Sequence, residues 1–207
     1  GLLYAGTEYG MYISYDDGAH WRRFQLNLPV VPITDLTIKD NDLVVATQGR
    51  AFWVLDDLAP VQEYDTALLA RSLYVYPTRP TWRIPGMDPR YAAYLRAPVN
   101  AGANPPAGAR LRFYIRELAD TTKASVTILD REHKVVKSYA TDAKDNTLEV
   151  VKGMNQFGWD LKYPGAESID GMILWNGVPG ELLAPPGTYY YTVKVGSDSA
   201  QGSFIVK

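Results

Sequence analysis

In "RLRFYIREL" apolar and polar side chains alternate almost one for one: Leu111, Phe113 and Ile115 on one side, Arg110, Arg112 and Arg116 among the polar positions. A period of two belongs to a strand with one face in a core and the other in water. The same rule places Tyr189, Tyr191, Val193 and Val195 of "GTYYYTVKVG" on one buried face, and Phe157, Trp159 and Leu161 of "NQFGWDLKY" on another. With "ASVTILD", "KVVKSYA", "NTLEVV" and "QGSFIVK" these make seven strands from about Ala107 to the end. That is the inventory of an immunoglobulin-like sandwich, which takes about 100 residues. The first third carries six more candidates, "LLYAGTE", "GMYISYD", "RRFQLN", "ITDLTIKD", "DLVVATQG" and "AFWVLDD". They follow one another at roughly the 8–12-residue spacing of sandwiches and propellers. Helix signals are scarce, so the pattern predicts an all-β chain.

Between Leu58 and Pro106 the texture changes, because eight of the fourteen prolines fall there. Proline cannot donate to a sheet ladder, so most of this stretch reads as a connector. One short helix is expected at "VQEYDTALLA", where Leu68 and Leu69 follow Tyr64 at helical spacing, and "SLYVY" reads as an isolated strand. Trp82, Tyr91 and Tyr94 favour burial, which makes the connector a packed one. The organisation expected is therefore a strand-rich segment over 1–58, a proline-rich linker over 59–106 and a β-sandwich over 107–207.

Composition narrows the chemistry. No apolar run approaches the roughly 18 residues of a membrane-spanning helix. Lys and Arg total 21 against 23 Asp and Glu, giving a net charge of −2 with no basic stripe, so a nucleic-acid partner has no support. The absence of cysteine removes disulfides, cysteine-ligated zinc and thiol nucleophiles together. "GLLYAGTEYG" shows no basic stretch, apolar core and cleavage site of a secretion signal. It already reads as a strand, which leads to the expectation that the chain starts inside a larger architecture.

"SYDDGAHW" combines carboxylates with the punctuation of a tight hairpin. A short carboxylate can accept backbone N–H groups across a turn, glycine takes positive φ there, and an aromatic residue can pin the returning strand into the core. Ser14, Asp16, Gly18 and Trp21 fit S-x-D-x-G-x-x-W, which resembles the Asp box of the BNR repeats in sialidase-type and sortilin-type β-propellers. The resemblance implies a structural hairpin away from any catalytic face, with Asp16 as a clamp. His20 stands where that family usually has Thr or Ser, so the last hydrogen bond of the turn is expected to differ. "ATQGRAFWVLDDLAPV" resembles the closing blade of large bacterial BNR-repeat propellers of sortilin-like or glycosyl-hydrolase-like type. "NPPAGARLRFYI" resembles the entry into the sandwich that often follows them. "NQFGWDLKYPGA" with "LLAPPGTYYYTVKVG" is similar to the FlgD-type immunoglobulin-like fold.

No residue matches the arginine cluster, Tyr–Glu pair or Asp acid that a sialidase-type reaction would need, and none is assigned a catalytic role. Asp56 and Asp57 are adjacent, so their side chains diverge and read as a turn or cap rather than as the facing pair of a glycosidase. His20 and His133 fall in different predicted domains and read as exposed loop residues. "TDAKDN" lacks the ligand cadence of a calcium loop. No metal or cofactor is expected. Met172, Ile173, Leu174 and Trp175 of "GMILWNGVPGE" form an apolar run in a Gly-rich loop, a candidate interaction surface. Fifteen tyrosines and five tryptophans leave a glycan or protein platform open beside simple strand packing.

The resemblance implies a non-catalytic C-terminal segment of a secreted or cell-surface bacterial protein: terminal propeller strands, a packed linker and a sandwich that binds or assembles. Two alternatives stay open, a fragment of a sialidase-like glycoside hydrolase with its catalytic residues in upstream blades, and a subunit of a filament or surface layer. About one and a half blades would leave sheet edges and faces bare. The expected partner is therefore the remaining blades of the same or a cleaved chain, or another copy of the protein adding strands.

Overall fold

A computed structural model describes residues 1–84, 107–165, 171 and 181–207. Among these the chain is built of small antiparallel sheets with two one-turn helices, and no helix is long and apolar enough to cross a membrane. It divides into two compact units, Gly1–Tyr64 and Asp65–Lys207.

The first unit contains two three-stranded sheets. In one, β1 (Leu3–Thr7) pairs with β2 (Gly10–Ser14), and β2 pairs with the two-residue β3 (Arg22–Arg23). In the other, β4 (Ile33–Lys39), β5 (Asp42–Thr47) and β6 (Phe52–Leu55) follow as a meander. The β4–β5 connection is a two-residue turn in which Asp40 and Asn41 both have positive φ, 51° and 67°. That pair of signs is what a type I′ hairpin demands and what short Asp and Asn side chains tolerate. Met11, Leu43, Val45 and Leu58 are buried together between the sheets, with Tyr4, Phe24, Ile33, Leu36, Trp53 and Leu55 packed around them. After β6 the chain turns into α1 (Ala59–Gln62), which starts with Pro60 in its first turn.

The second unit opens with α2 (Thr66–Leu69), capped by Asp65, whose carboxylate accepts the Ala67 N–H. The single helix expected across "VQEYDTALLA" is thus two separate turns. The first ends at its C-cap Glu63, and Asp65, in extended backbone at φ −144°, caps the second, a position a short acidic side chain favours. β7 (Leu73–Val75) pairs with β8 (Ala109–Ile115), and β8 with β11 (Gly153–Trp159). β10 (Val135–Ala140), β9 (Ala124–Leu129), β12 (Gly187–Val195) and β13 (Asp198–Val206) form the second sheet in that order. The stretch "SLYVY" is therefore an edge strand, and the isolated strand expected there is corrected by its register with β8, Leu73 opposite Ile115 and Val75 opposite Phe113. "NTLEVV" forms no strand. It meets β10 through a single bridge, Thr147 to Ala140, and its Leu148 is buried all the same.

One core joins the two sheets of this unit. Leu111, Phe113, Ile115, Val126, Ile128, Trp159, Tyr191 and Val193 are all fully enclosed, as the alternation predicts, while Phe157 is only partly buried. Tyr189 and Tyr191 reach from β12 into this core and keep their hydroxyls bonded. Tyr191 Oη donates to the Tyr76 carbonyl oxygen at 3.2 Å and lies 3.0 Å from Thr78 Oγ1, and Tyr189 Oη donates to the Pro185 carbonyl oxygen. The prolines do not keep residues 76–84 away from this sheet. Thr81 N donates to Ile205 O, Lys207 N to Thr81 O and Arg83 N to Lys207 O, so the segment runs beside β13, while Trp82 remains exposed. Gly108, at φ +101°, lies so close to β11 that a Cβ there would collide with the carbonyl oxygen of Trp159. Its own carbonyl oxygen accepts the Thr81 hydroxyl.

Candidate functional site

The hairpin after β2 folds around Ser14 and Asp16. Ser14 is buried and donates its hydroxyl to Asp16 Oδ1 at 2.8 Å while accepting the Gly18 N–H at 2.9 Å. Asp16 Oδ1 also accepts the His20 N–H at 2.8 Å, and its Oδ2 lies 2.6 Å from His20 Nδ1. Asp17 and Gly18, at φ 57° and 89°, carry the reversal between them. One short carboxylate thus meets three groups of a turn that has no ladder of its own, the Ser14 hydroxyl, the His20 N–H and the His20 ring. These hydrogen bonds, the His20 N–H and ring first and the Ser14 hydroxyl after them, draw the Asp16 pKa down to about 2. His20 closes the turn twice over, through its backbone N–H and through an imidazole nitrogen that lies against the same carboxylate.

Ser14, Asp16 and His20 have the residue types of a hydrolytic triad but not its geometry. A nucleophilic serine needs the histidine as its base, with the carboxylate behind the imidazole. Here the carboxylate sits between them and receives the serine proton's hydrogen bond, so the serine is held as a turn element. Trp21 differs from the expectation of a core pin. It is 43% exposed, its indole lying over Gly18 and not in the apolar cluster. The cause is local: β3 is two residues long and both, Arg22 and Arg23, are exposed, so Trp21 enters at the rim of the turn.

Asp57 performs a second clamp. It is buried, takes φ 60°, and its Oδ1 accepts the Ala59 N–H and the Asn41 side-chain amide at 3.3 and 3.2 Å. Its own N–H donates to Asp42 Oδ1 at 2.7 Å, and Leu58 N donates to Asn41 O. The β4–β5 turn and the exit from β6 are tied together by this carboxylate. The geometry agrees with a turn or cap and leaves Asp57 engaged with backbone donors. His20 and His133 are both exposed, and His133 stacks on Tyr190 at 4.3 Å. Among the described residues no group of three or more His, Asp or Glu is placed to hold a metal ion. Met172, Ile173, Leu174 and Trp175 lie outside the described residues.

What the sequence reading missed is a face. On β5 and β6, Leu43, Val45, Trp53 and Leu55 point into the first unit's core. Register places Val44 opposite Val54 and Ala46 opposite Phe52 on the other side. There Phe52 is 75% and Val54 55% exposed. The signal was present in "FWVL", where four consecutive apolar residues leave no polar face. A strand so composed has two apolar faces, of which the core takes one. Beneath β6 a cleft of about 50 Å³ opens between Trp53, Leu55 and the 24–28 loop, lined also by Met11 and Val45.

No family model, curated protein or solved structure matches the chain.

Proposed function

We propose that this chain is a non-catalytic binding and structural segment of a secreted or cell-surface bacterial protein. In this reading the first unit supplies the terminal strands of a BNR-type propeller and the second is an immunoglobulin-like sandwich of FlgD type that docks or assembles. The observation that carries it is the outer face of β4, β5 and β6. A strand with Phe52 and Val54 in water and Trp53 and Leu55 in the core is suited to a sheet packed between two others, as a propeller blade is between its neighbours. Support comes also from the carboxylate clamps, since Asp16 and Asp57 both hold turns through hydrogen bonds.

The test is the native particle. Its mass is expected to exceed the 23.0 kDa of this chain, and amide exchange at Phe52 and Val54 is expected to be slow within it. A panel of synthetic glycosides should be left intact by the chain itself. A particle of 23.0 kDa with β6 exchanging freely would defeat the reading, and turnover of any glycoside lost on substitution of a residue of this chain would replace it with the hydrolase alternative.

A further inference from the structure

The two outer faces of the second unit differ in charge. On the sheet of β7, β8 and β11 the outward side chains include Arg110 and Arg112. On the sheet of β10, β9, β12 and β13, register sets a row across all four strands: Ser138, Thr127, Thr192 and Gln201. Ser125, Lys194 and Ser199 line up on one side of that row, and Leu129, Tyr190 and Ser203 on the other. Lys194 is the one charge in these three rows. Thr127 and Ser138 lie within 3.3 Å of each other, while the side chains of Ser125, Thr192, Ser199, Gln201 and Ser203 have no hydrogen-bond partner among the described residues. Loss of charge with retention of polar groups is how the middle of a binding surface differs from ordinary surface.

A groove of about 670 Å³ runs over this face toward the β12–β13 turn, where Asp198 offsets Lys194. That volume is within the roughly 300–1,000 Å³ of small-ligand sites. Away from that turn, Tyr190 is stacked on His133 with ring centroids 4.3 Å apart. The turn that carries His133 is itself clamped. Asp130 Oδ1 accepts the Glu132 and Lys134 N–H groups, and Asp130 O accepts the His133 N–H. The ring pair is thus set in place before any ligand arrives.

A partner for this face must offer many hydroxyls, no net charge and an apolar ring surface. A charged polymer finds no counter-charge here, and an apolar protein surface would strand the hydroxyls. Sugars meet all three demands, with C–H faces for the aromatic pair and hydroxyls that both donate and accept. We propose that this face binds an uncharged glycan, one sugar ring against Tyr190 and His133 and the next along Thr127, Thr192 and Gln201 into the groove. This rests on the reading of the chain as a binding segment, and it names the ligand class and the unit that takes it.

The experiment is calorimetric titration of the 207-residue chain with soluble uncharged oligosaccharides of glucose, xylose and N-acetylglucosamine, beside an oligogalacturonate as the charged counterpart. At least one uncharged probe is expected to bind, with an affinity that salt hardly changes. Gln201→Ala and His133→Gly should each weaken it by about tenfold, glycine being a residue that accepts the φ of 59° at position 133. Gln156→Ala, exposed on the other sheet, should leave it unchanged. The site is overturned if no uncharged probe binds, if the galacturonate binds better and is released by salt, or if neither Gln201→Ala nor His133→Gly matters. It is overturned also if the chain self-associates through this face, seen as a dimer in sedimentation that Thr192→Arg dissociates. Beside a native particle heavier than 23.0 kDa, each of these outcomes removes this site alone. A native particle of 23.0 kDa that still binds the oligosaccharide removes the propeller reading and leaves the site.

Discussion

The two units obey one rule of alternation and reach different ends. In the second unit β8 reads buried at every odd position and its facing sheet answers with Val126, Ile128, Tyr191 and Val193, so each inward side chain has a neighbour to meet. In the first unit the sheet of β4, β5 and β6 finds such an answer on one side only. Its cluster rests on four buried residues, and Phe52 and Val54, on the other face of β6, are largely exposed. The lesson is that a strand can be well formed by pairing while its burial is left to another layer. Stability of the strand and cover for its face are separate properties.

The sharpest way to break the contrast is to empty each unit. Trp159→Ala removes a side chain with no exposure and should cost about 3–5 kcal/mol in denaturant unfolding of the second unit. Phe52→Ala, read at dilutions where the chain is monomeric, should cost no more than about 0.5 kcal/mol. Equal losses would mean that the outer face of β6 is covered within the chain, and the contrast would be gone.

A smaller effect belongs to the hairpin. Ser14→Ala leaves the Gly18 N–H without its acceptor at a buried position, so a loss of about 1–3 kcal/mol is expected, together with faster exchange at Gly18. Acid tests the same clamp through Asp16. Because the folded carboxyl is drawn below its unfolded value of about 3.9, its contribution is complete above that pH. It fades as pH falls toward about 2. Protection of the His20 amide, taken relative to the exchange of a free amide at the same pH, should therefore fall over that window, and Asp16→Asn should remove that fall.

The smallest expected effect is a gain. The Tyr4 hydroxyl is buried beside Phe24 with no hydrogen-bond partner among the described residues, and burial with the nearby Tyr15 holds its pKa up at about 12. Tyr4→Phe should leave the first unit unchanged or firmer by up to about 1 kcal/mol, read from its unfolding midpoint.

Alternation made most strands legible, because a residue pattern such as "ARLRFYI" has one way to sit between water and a core. The Asp-clamped turn was legible as well, since its residue types have few other uses at that spacing. What escaped depended on facts that no local window holds. "SLYVY" looked isolated because its partner, β8, lies more than thirty residues away. "NTLEVV" looked like a strand because one buried side chain, Leu148, can be supplied by a loop as well as by a ladder. Asp65 divided a helix that the leucines alone would have continued. Trp21 was expected to pin the returning strand into the core, but β3 is too short to carry it there.

Gly108 has a consequence for how this chain can change over generations. With the Trp159 carbonyl oxygen where a methyl group would be and a backbone angle that side chains resist, position 108 has a single allowed occupant. A library randomised at that codon and screened for soluble protein should return one amino acid. The neighbouring Ala107 and Arg110 should drift, which makes the glycine a fixed point from which the register of the whole second unit is counted.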